Sequence, residues 1–499
     1  MRLCDLVTDR PMPDDYANIA ISGLCADSRT VKQDWLFVAI SGNDSDGHDH
    51  IDSAVANGAV AVLGEKDLSG LSVPYIQSES IRADFAKACA RFWPKRPAIQ
   101  VAITGTNGKT SIAEFLRQIW QKATWDAASL GTLGARTART GHSLDESHLT
   151  LSGLTTPGPD DLFRVIDALA QENVRCLALE ASSHGIDQDR LSPLSLHVAG
   201  FSNLSRDHLD YHGDMEAYFQ TKLRLFTELL PDGAAAVVNC DDDYGKRIIK
   251  ALKDRPIVLK TIGHDKSADL HIKSLNPKDY GFDAHIAYKG QDYHFPLALM
   301  GQFQAENALL AALLAHLSGL SLHDSLGALP SLKPIAGRMQ PVHGHPQKAR
   351  ILVDYAHTPD ALENALSLLR PETNGKLIVL FGCGGDRDKG KRVLMGNAAA
   401  QLADMVYVTD DNPRSEDPGA IRADVMSGDA KKMADKFTEI GNRKAAIQTA
   451  IDTLGAGDCL LIAGKGHETT QMVGTETLPF DDAAVARSAL AFLPQGGPS

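Results

Sequence analysis

No run of about 18 uninterrupted apolar residues occurs anywhere in the 499-residue chain, so no segment reads as a membrane-spanning helix. The first residues, MRLCDLVTDRPMP, lack the apolar core of a secretory signal. A cytoplasmic protein with no membrane attachment is the expectation. The seven cysteines (Cys4, Cys25, Cys89, Cys176, Cys240, Cys383 and Cys459) form no CxxC pair. That argues against a zinc cluster or a disulfide framework and leaves reduced, mostly structural thiols. Lys and Arg number 50 against 63 Asp and Glu, and the formal net charge of −13 argues against a nucleic-acid partner. It leaves room for a local cationic pocket that takes a small anion. Internal repeats and low-complexity tracts are missing too. There is no G-x-S-x-G elbow to support a nucleophilic serine, and no N-K-x-D to read guanine, the nearest string being NPKD at 276–279.

What is present is the composition of a soluble globular protein, 43% hydrophobic and 23% charged. The length predicts about three domains. A first unit, 1–97, ends at the proline-punctuated RFWPKRPAIQ. From 98 to 335 short apolar strands (AIQVAIT, RCLALEA, LHVAGFS, GAAAVVN) alternate with polar loops and helices, followed by a two-stranded excursion near 281–299 and the helical ENALLAALLAHL. A third unit, 336–499, repeats the alternation with ARILVDY, KLIVLFG, DMVYVTD and CLLIAGK. This is the pattern of an α/β protein built on mainly parallel sheets. Ligands bind beyond the carboxyl ends of such strands, and that is where the polar strings crowd: GTNGKT, SSHG, NLSRDHLDYH, AHTPD, GCGGDRDKGKR, DDNPR and GKGHE. One site assembled between two sheets is the economical expectation.

Four of these strings carry chemistry. VAITGTNGKTS (101–111) is a strand, a glycine-bearing turn and a helix start. Amides from Gly105 through Thr106, Asn107 and Gly108 to Thr110 suit phosphate oxygens, Lys109 suits the outer phosphates and the Thr110 hydroxyl suits Mg2+. Ile103 stands where the usual phosphate loop has another glycine. In NLSRDHLDYHGDMEAYFQTKLRLF (203–226), His208 and His212 have a metal-pair spacing, but Asp210 and Gly213 predict a turn, and magnesium suits a phosphate loop better than zinc. Downstream, Phe219, Lys222, Leu223 and Phe226 share one helical face, so Lys222 projects from an apolar side, either to snorkel from a core edge or to act chemically. GCGGDRDKGKR (382–392) reads as an anion site with Arg387, Lys389, Lys391 and Arg392, or as a basic surface turn. DDNPRSEDP (410–418) places Asp410, Asp411, Glu416 and Asp417 around one cation, Arg414, between Pro413 and Pro418. By itself it reads as a surface turn in which the arginine neutralises its neighbours.

The ordered set TGTNGKT, EASSHG, SNLSRDHLDYHGD, GRM, VDYAHTPDAL, FGCGGDRDKGKR, TDDNPR and AGKGHE resembles the Mur ligase family of ATP-dependent amide-forming enzymes across essentially the whole chain. The resemblance is strongest to the branch that adds a diamino acid to UDP-N-acetylmuramoyl-L-alanyl-D-glutamate. It implies a UDP-MurNAc-binding first domain, a central P-loop ATPase domain and a Rossmann-like amino-acid-binding third domain, in a monomeric enzyme. Ser28, Gly42, Asn43 and Asp44 match the uridine-nucleotide site. Thr155, Thr156, Ser182, Gln188 and Arg190 match the muramoyl-dipeptide contacts. Gly105 to Thr110 match the triphosphate loop, and Asn307, Arg338 and Asp354 match further ATP contacts. Glu180 and His208, with Thr110, match magnesium positions, and Lys222 matches a lysine carried as its carbamate. Arg387, Asp411, Asn412, Pro413, Arg414, Gly464 and Glu468 match a pocket for meso-diaminopimelate, in which Arg414 grips the carboxylate that lysine lacks. ATP and Mg2+ are the implied cofactors, and closure between domains is expected to assemble the site. Two positions depart from the family pattern: Gln304, where asparagine is commoner, and VKQDWLF (31–37), which replaces a proline-glycine turn. A lysine-adding ligase, a folylpolyglutamate synthetase-like ligase and a nucleotide-dependent switch are the alternatives.

Overall fold

The computed structural model describes residues 1–8, 13–42, 45–137, 154–278 and 281–493. They divide into two compact units, one of residues 1–272, 286–292 and 307–329, the other of residues 273–285, 293–306 and 330 onward. No described helix is long and apolar enough to cross a membrane.

The first unit opens with four parallel strands, β1 (Gly23–Cys25), β2 (Trp35–Ala39), β3 (Ala59–Gly64) and β4 (Tyr75–Gln77), paired in sequence order. The atypical VKQDWLF turn is made by Asp34 at φ +64°, whose amide donates to Gly58 O. An Asp in the left-handed region serves where a glycine is the usual solution.

A ten-stranded sheet follows, formed by β5 (Ile99–Thr104), β6 (Ala127–Gly131), β7 (Gly134–Thr137), β8 (Cys176–Glu180), β9 (Val198–Phe201), β10 (Ala235–Asn239), β11 (Val258–Gly263), β12 (Leu270–Lys278), β13 (Gly281–Tyr288) and β14 (Gln291–Leu297). Its spatial order is 14-13-12-11-10-9-5-8-6-7. β5 sits in the middle, parallel to both β8 and β9. Every residue of IQVAIT is buried, as expected for a parallel strand covered on both faces. The strands read from sequence are all present. β6, β7, β11 and β12 were not legible: AASLG in β6 is buried throughout but carries no β-branched or aromatic residue. Helix Lys109–Lys122 starts at the end of β5 and lays Ile112, Phe115, Leu116 and Ile119 into the core.

The second unit carries a six-stranded sheet in the order 15-16-20-17-18-19, made of β15 (Gln340–Pro341), β16 (Arg350–Asp354), β17 (Leu377–Phe381), β18 (Met405–Val408), β19 (Phe437–Glu439) and β20 (Cys459–Ala463). All pairings except β15–β16 are parallel. A hairpin of β21 (Thr470–Val473) and β22 (Glu476–Pro479) follows. Arg443 and Asp482, both fully buried, pair at 2.7 Å, and Arg443 also donates to Ala463 O at the end of β20. The pair is tied by Arg443 Nη2 to the loop that leaves β20, while the buried Arg443 Nη1 has no partner among the described residues.

Candidate active site

The turn after β5 is shaped by its glycines. Gly105 has φ +152° and Gly108 φ +87°, and a Cβ on Gly108 would stand 2.6 Å from Asn307 Oδ1. Only glycine fits, and the approach places Asn307 directly against the loop. The loop is braced by residues 202–205. Thr106 N donates to Asn203 O at 2.8 Å, Asn107 N to Asn203 Oδ1 at 3.0 Å, and Ser202 Oγ to Asn107 O at 2.6 Å. Lys109 Nζ curls back onto Gly105 O and Thr106 O, at 3.0 and 2.8 Å. The loop is therefore rigid, with a cation stored at its mouth and a helix N-terminus behind it, an arrangement suited to a triphosphate.

At the second residue of the helix, Thr110 Oγ1 donates to Glu180 Oε2 at 2.9 Å. Glu180 ends β8, is 2% exposed, and also accepts Thr132 N at 2.8 Å and Thr132 Oγ1 at 3.2 Å. The network continues. Thr132 Oγ1 also lies within hydrogen-bond distance of Thr155 Oγ1, at 3.2 Å, and Thr156 Oγ1 donates to Glu180 O at 2.7 Å while accepting Ser182 N at 2.9 Å. Arg190 donates to Thr156 O and to Gln188 Oε1, and Gln188 Nε2 reaches Tyr211. Thr110, Glu180, Thr155, Thr156, Ser182, Gln188 and Arg190, spread over 81 positions (190 − 110 + 1), thus form one connected hydrogen-bond system.

Lys222 is 1% exposed, on helix Met215–Arg224, which runs on into a π-helical turn at Leu225–Leu229. Its Nζ donates to the same Gly105 O that Lys109 uses, at 2.8 Å, and lies 4.7 Å from the Tyr218 ring. Burial, then the nearby Lys109 charge, pushes its pKa well below the ordinary lysine value. The snorkelling alternative is excluded, because the amino group is buried rather than in solvent. The HLDYH stretch is not the expected turn. It is a single helical turn, Leu209–His212, entered through His208 at φ +53° and closed by Gly213 at φ +81°. Here His208 packs on His184, ring centroids 4.9 Å apart, and His184 on Tyr211 at 4.2 Å.

In the second unit, DDNPRSEDP does not neutralise its own arginine. Asp410 pairs with Arg422, Glu416 with Arg392 at 2.9 Å and Lys389 at 3.4 Å, and Asp417 caps the next helix by accepting Ala420 N. Asp411, buried, has Lys465 at 3.9 Å. Arg414, at φ +50°, donates from Nη1 to Gly385 O at 2.7 Å and has no carboxylate partner among the described residues. Its backbone is stitched to the hairpin by Arg414 N to Met472 O and Gly474 N to Arg414 O. Asn412 Nδ2 donates to Glu468 Oε2 at 2.9 Å, and Gly464 is forced to be glycine by Asp411 Oδ2, 2.7 Å from where its Cβ would lie. The basic string 382–392 loses most of its anion-site character: Arg392 is buried in pairs with Glu416 and Asp424, Lys389 pairs with Glu416, and Lys391 donates to His357 O at 2.9 Å. Arg387 alone of the four remains exposed without an ion pair among the described residues.

Family models match three consecutive stretches: "Mur ligase family, catalytic domain" over residues 20–97, "Mur ligase middle domain" over 103–315, and "Mur ligase, glutamate ligase domain" over 337–466. The UDP-N-acetylmuramoyl-L-alanyl-D-glutamate--2,6-diaminopimelate ligase of Caulobacter vibrioides is 47% identical over 490 residues, covering 98% of each chain. The chain belongs to the Mur ligase family. Its similarity to the Bradyrhizobium diazoefficiens ligase of the same name is 44% over 497 residues, covering 98% of this chain and 99% of that one. A solved structure of a UDP-N-acetylmuramoyl-L-alanyl-D-glutamate--2,6-diaminopimelate ligase matches with a TM-score of 0.70 at 32% identity, covering 98% of this chain and 99% of that one. This Mur ligase therefore has the three-domain α/β fold of its family.

The remaining expected residues of this Mur ligase fall as follows. Ser28 is buried, with its carbonyl held by Asn57 Nδ2, and Gly42 N donates to Ser45 O at 3.0 Å. Asn43 and Asp44 lie outside the described residues. Arg338 stacks over Tyr355 at 4.7 Å, and the Asp354 carboxylate accepts Met339 N and Ala356 N, so it holds the end of the GRM string. Gln304 is buried, donates to Arg338 O at 3.5 Å and has no partner for Oε1 among the described residues. Pro413 is buried and its carbonyl lies against Gly385. Sequence reasoning missed Thr132, Asn203 and Lys465. Thr132 follows a strand without strand-like composition, whereas Lys465, in AGKGHE directly after a buried strand, had a usable signal in its position.

Proposed function

We propose that this chain uses ATP to join meso-diaminopimelate to the D-Glu carboxylate of UDP-N-acetylmuramoyl-L-alanyl-D-glutamate, a step of peptidoglycan precursor assembly carried out in the cytoplasm. The observation that carries this reading is the continuous network from Thr110 through Glu180 to Thr155, Thr156, Ser182 and Arg190. It links the phosphate-binding turn to the side chains expected to hold the dipeptide, as phosphoryl transfer between the two requires. Domain boundaries near 97 and 335 accompany it.

A carboxylate resists amide formation because it is anionic and has no leaving group. Transfer of the γ-phosphoryl of ATP to it gives an acyl phosphate, which a neutral amine attacks, expelling phosphate. Positioning and charge stabilisation are the protein's share of this chemistry. Lys109, turned into the mouth of its own loop, supplies charge to the outer phosphate oxygens, and the amides of Gly105 to Thr110 orient the chain of phosphates. The Thr110 hydroxyl and Glu180 carboxylate are hard oxygen donors side by side, and no cluster of three His, Cys, Asp or Glu side chains fit for a metal occurs among the described residues. That donor set fits Mg2+ completed by phosphate and water oxygens, and the family resemblance adds His208 and a Lys222 carbamate to it. When bound, Mg2+ neutralises charge on the transferring phosphoryl oxygens. Lys222 is prepared for carbamate formation because its buried amine is held toward the neutral form: the nitrogen lone pair attacks CO2 and one N–H proton leaves.

Meso-diaminopimelate is favoured over lysine by Arg414. A guanidinium with no carboxylate partner among the described residues can take the extra carboxylate bidentately, and a lysine substrate would leave it unpaired at a cost on the order of 2–3 kcal/mol. Phosphate release from ATP, measured with the UDP-dipeptide and meso-diaminopimelate, L-lysine, L-glutamate or no amine, tests the reading. Release is expected with diaminopimelate alone; release without any amine would favour a switch, and preference for lysine or glutamate would replace the third substrate.

A further inference from the structure

We infer that Lys465 is a positioning residue for the third substrate, one that reads the distal ammonium through Asn412 and Glu468. This rests on the diaminopimelate reading above.

Lys465 leaves the end of β20 with no exposed surface at all. Its Nζ donates to Asn412 Oδ1 at 3.1 Å and to Glu468 Oε2 at 3.0 Å, with Asp411 Oδ1 at 3.9 Å. Met472 N donates to the same Asn412 Oδ1 at 2.9 Å. Neither an amino group of this kind nor a backbone N–H can accept, so two donors on one atom fix which end of the Asn412 amide is oxygen. The amide nitrogen is thereby turned to Glu468 Oε2. One Glu468 oxygen is occupied by Lys465 and Asn412, and the other, Oε1, has no partner among the described residues. Against burial, which pushes it up, the Lys465 charge and these hydrogen bonds hold the Glu468 carboxyl below its ordinary pKa. The carboxylate is thus kept ionised and rotated so that one oxygen remains for a ligand cation.

Arg414 is the matching half. It is fixed by Gly385 O and the hairpin and makes no ion pair among the described residues. A carboxylate beside an ammonium is the chemical group these two halves complement. Arg414 recognises the first directly, while Lys465 orders the acceptor for the second without touching it.

The test compares Lys465→Met with wild type on three amines: meso-diaminopimelate, 2-aminopimelate, which lacks only the distal ammonium, and L-lysine. In wild type, 2-aminopimelate should be used roughly 10- to 100-fold less efficiently than diaminopimelate, the worth of a hydrogen-bonded charge. In Lys465→Met the KM for diaminopimelate should rise by a similar factor, the preference over 2-aminopimelate should shrink toward one, and the KM values for ATP and the UDP-dipeptide should hold. Lys465→Gln, which keeps an N–H donor but not the charge, should show a preference between that of wild type and one, and this serves as the test if the Met variant is insoluble. Unchanged discrimination, or an equal loss toward all three substrates of the reaction, overturns the inference. A wild-type enzyme that makes no amide with diaminopimelate instead overturns the function on which it rests.

Discussion

Replacing Gly131 by alanine tests the link between the phosphate loop and the dipeptide network at its tightest point. Gly131 ends β6, and a Cβ there would overlap Glu180 Oε1, Cδ and Cγ. Its φ lies outside the left-handed region, so the backbone accepts alanine without strain and the whole effect comes from the contact. Glu180 cannot swing away cheaply, because it is buried and held by Thr110 and Thr132. Overpacking costs about 1–3 kcal/mol, and each hydrogen bond lost to the carboxylate adds about 1.5–3 kcal/mol. A net loss of about 3–5 kcal/mol is expected. Displacing Glu180 by even ~1 Å should lower turnover on the order of 100-fold. Chemical denaturation and steady-state phosphate release measure the two effects. On a Glu180→Ala background the obstructing atoms are gone, so Gly131→Ala should then destabilise by less than about 1 kcal/mol. Wild-type turnover in Gly131→Ala, or penalties that simply add in the double variant, would refute the placement of Glu180.

Other expectations concern single charges. Lys109→Ala should abolish ATP-dependent turnover while leaving the fold intact, checked by phosphate release and circular dichroism; substantial residual amide synthesis would remove Lys109 from the triphosphate site. Arg414→Ala should raise the KM for meso-diaminopimelate by roughly 10- to 100-fold with little change for ATP, and equal losses on both would refute its selectivity role. For Lys222 the sign follows from its depressed pKa: the folded chain holds fewer protons than the unfolded one between the folded value and the ordinary ~10.4, so Lys222 destabilises least at high pH. The neutral amine fraction, and with it a 13C carbamate signal under labelled CO2, should grow as pH rises, and the signal should vanish in Lys222→Met. A signal independent of pH, or one that survives in Lys222→Met, would place the carbamate elsewhere.

Much of the architecture was legible because its strands are apolar runs of the length and composition that parallel sheets demand. IQVAIT, CLALE, LIVLF and CLLIA are buried at every position. AASLG was not legible, since small residues bury well without any strand-like preference. In the site, glycines at the phosphate loop and the apolar face around Lys222 pointed correctly to local geometry, because both rest on near-neighbour spacing. The fate of charges was less legible. Asp410, Glu416 and Arg392 each found a partner far along the chain, so the local crowding of carboxylates around Arg414 predicted a neutralised turn that does not exist. The orientation of Asn412 depends on Met472 and Lys465, more than 50 residues away, and no local pattern encodes it.

The central claim is that the D-Glu carboxylate is activated by phosphorylation before diaminopimelate attacks it. UDP-N-acetylmuramoyl-L-alanyl-D-glutamate labelled with 18O in that carboxylate, turned over with ATP, Mg2+ and meso-diaminopimelate, tests it by mass spectrometry of both products. One labelled oxygen should appear in the released phosphate for every amide formed. Phosphate free of label, or label retained in full by the peptide product, would contradict the account.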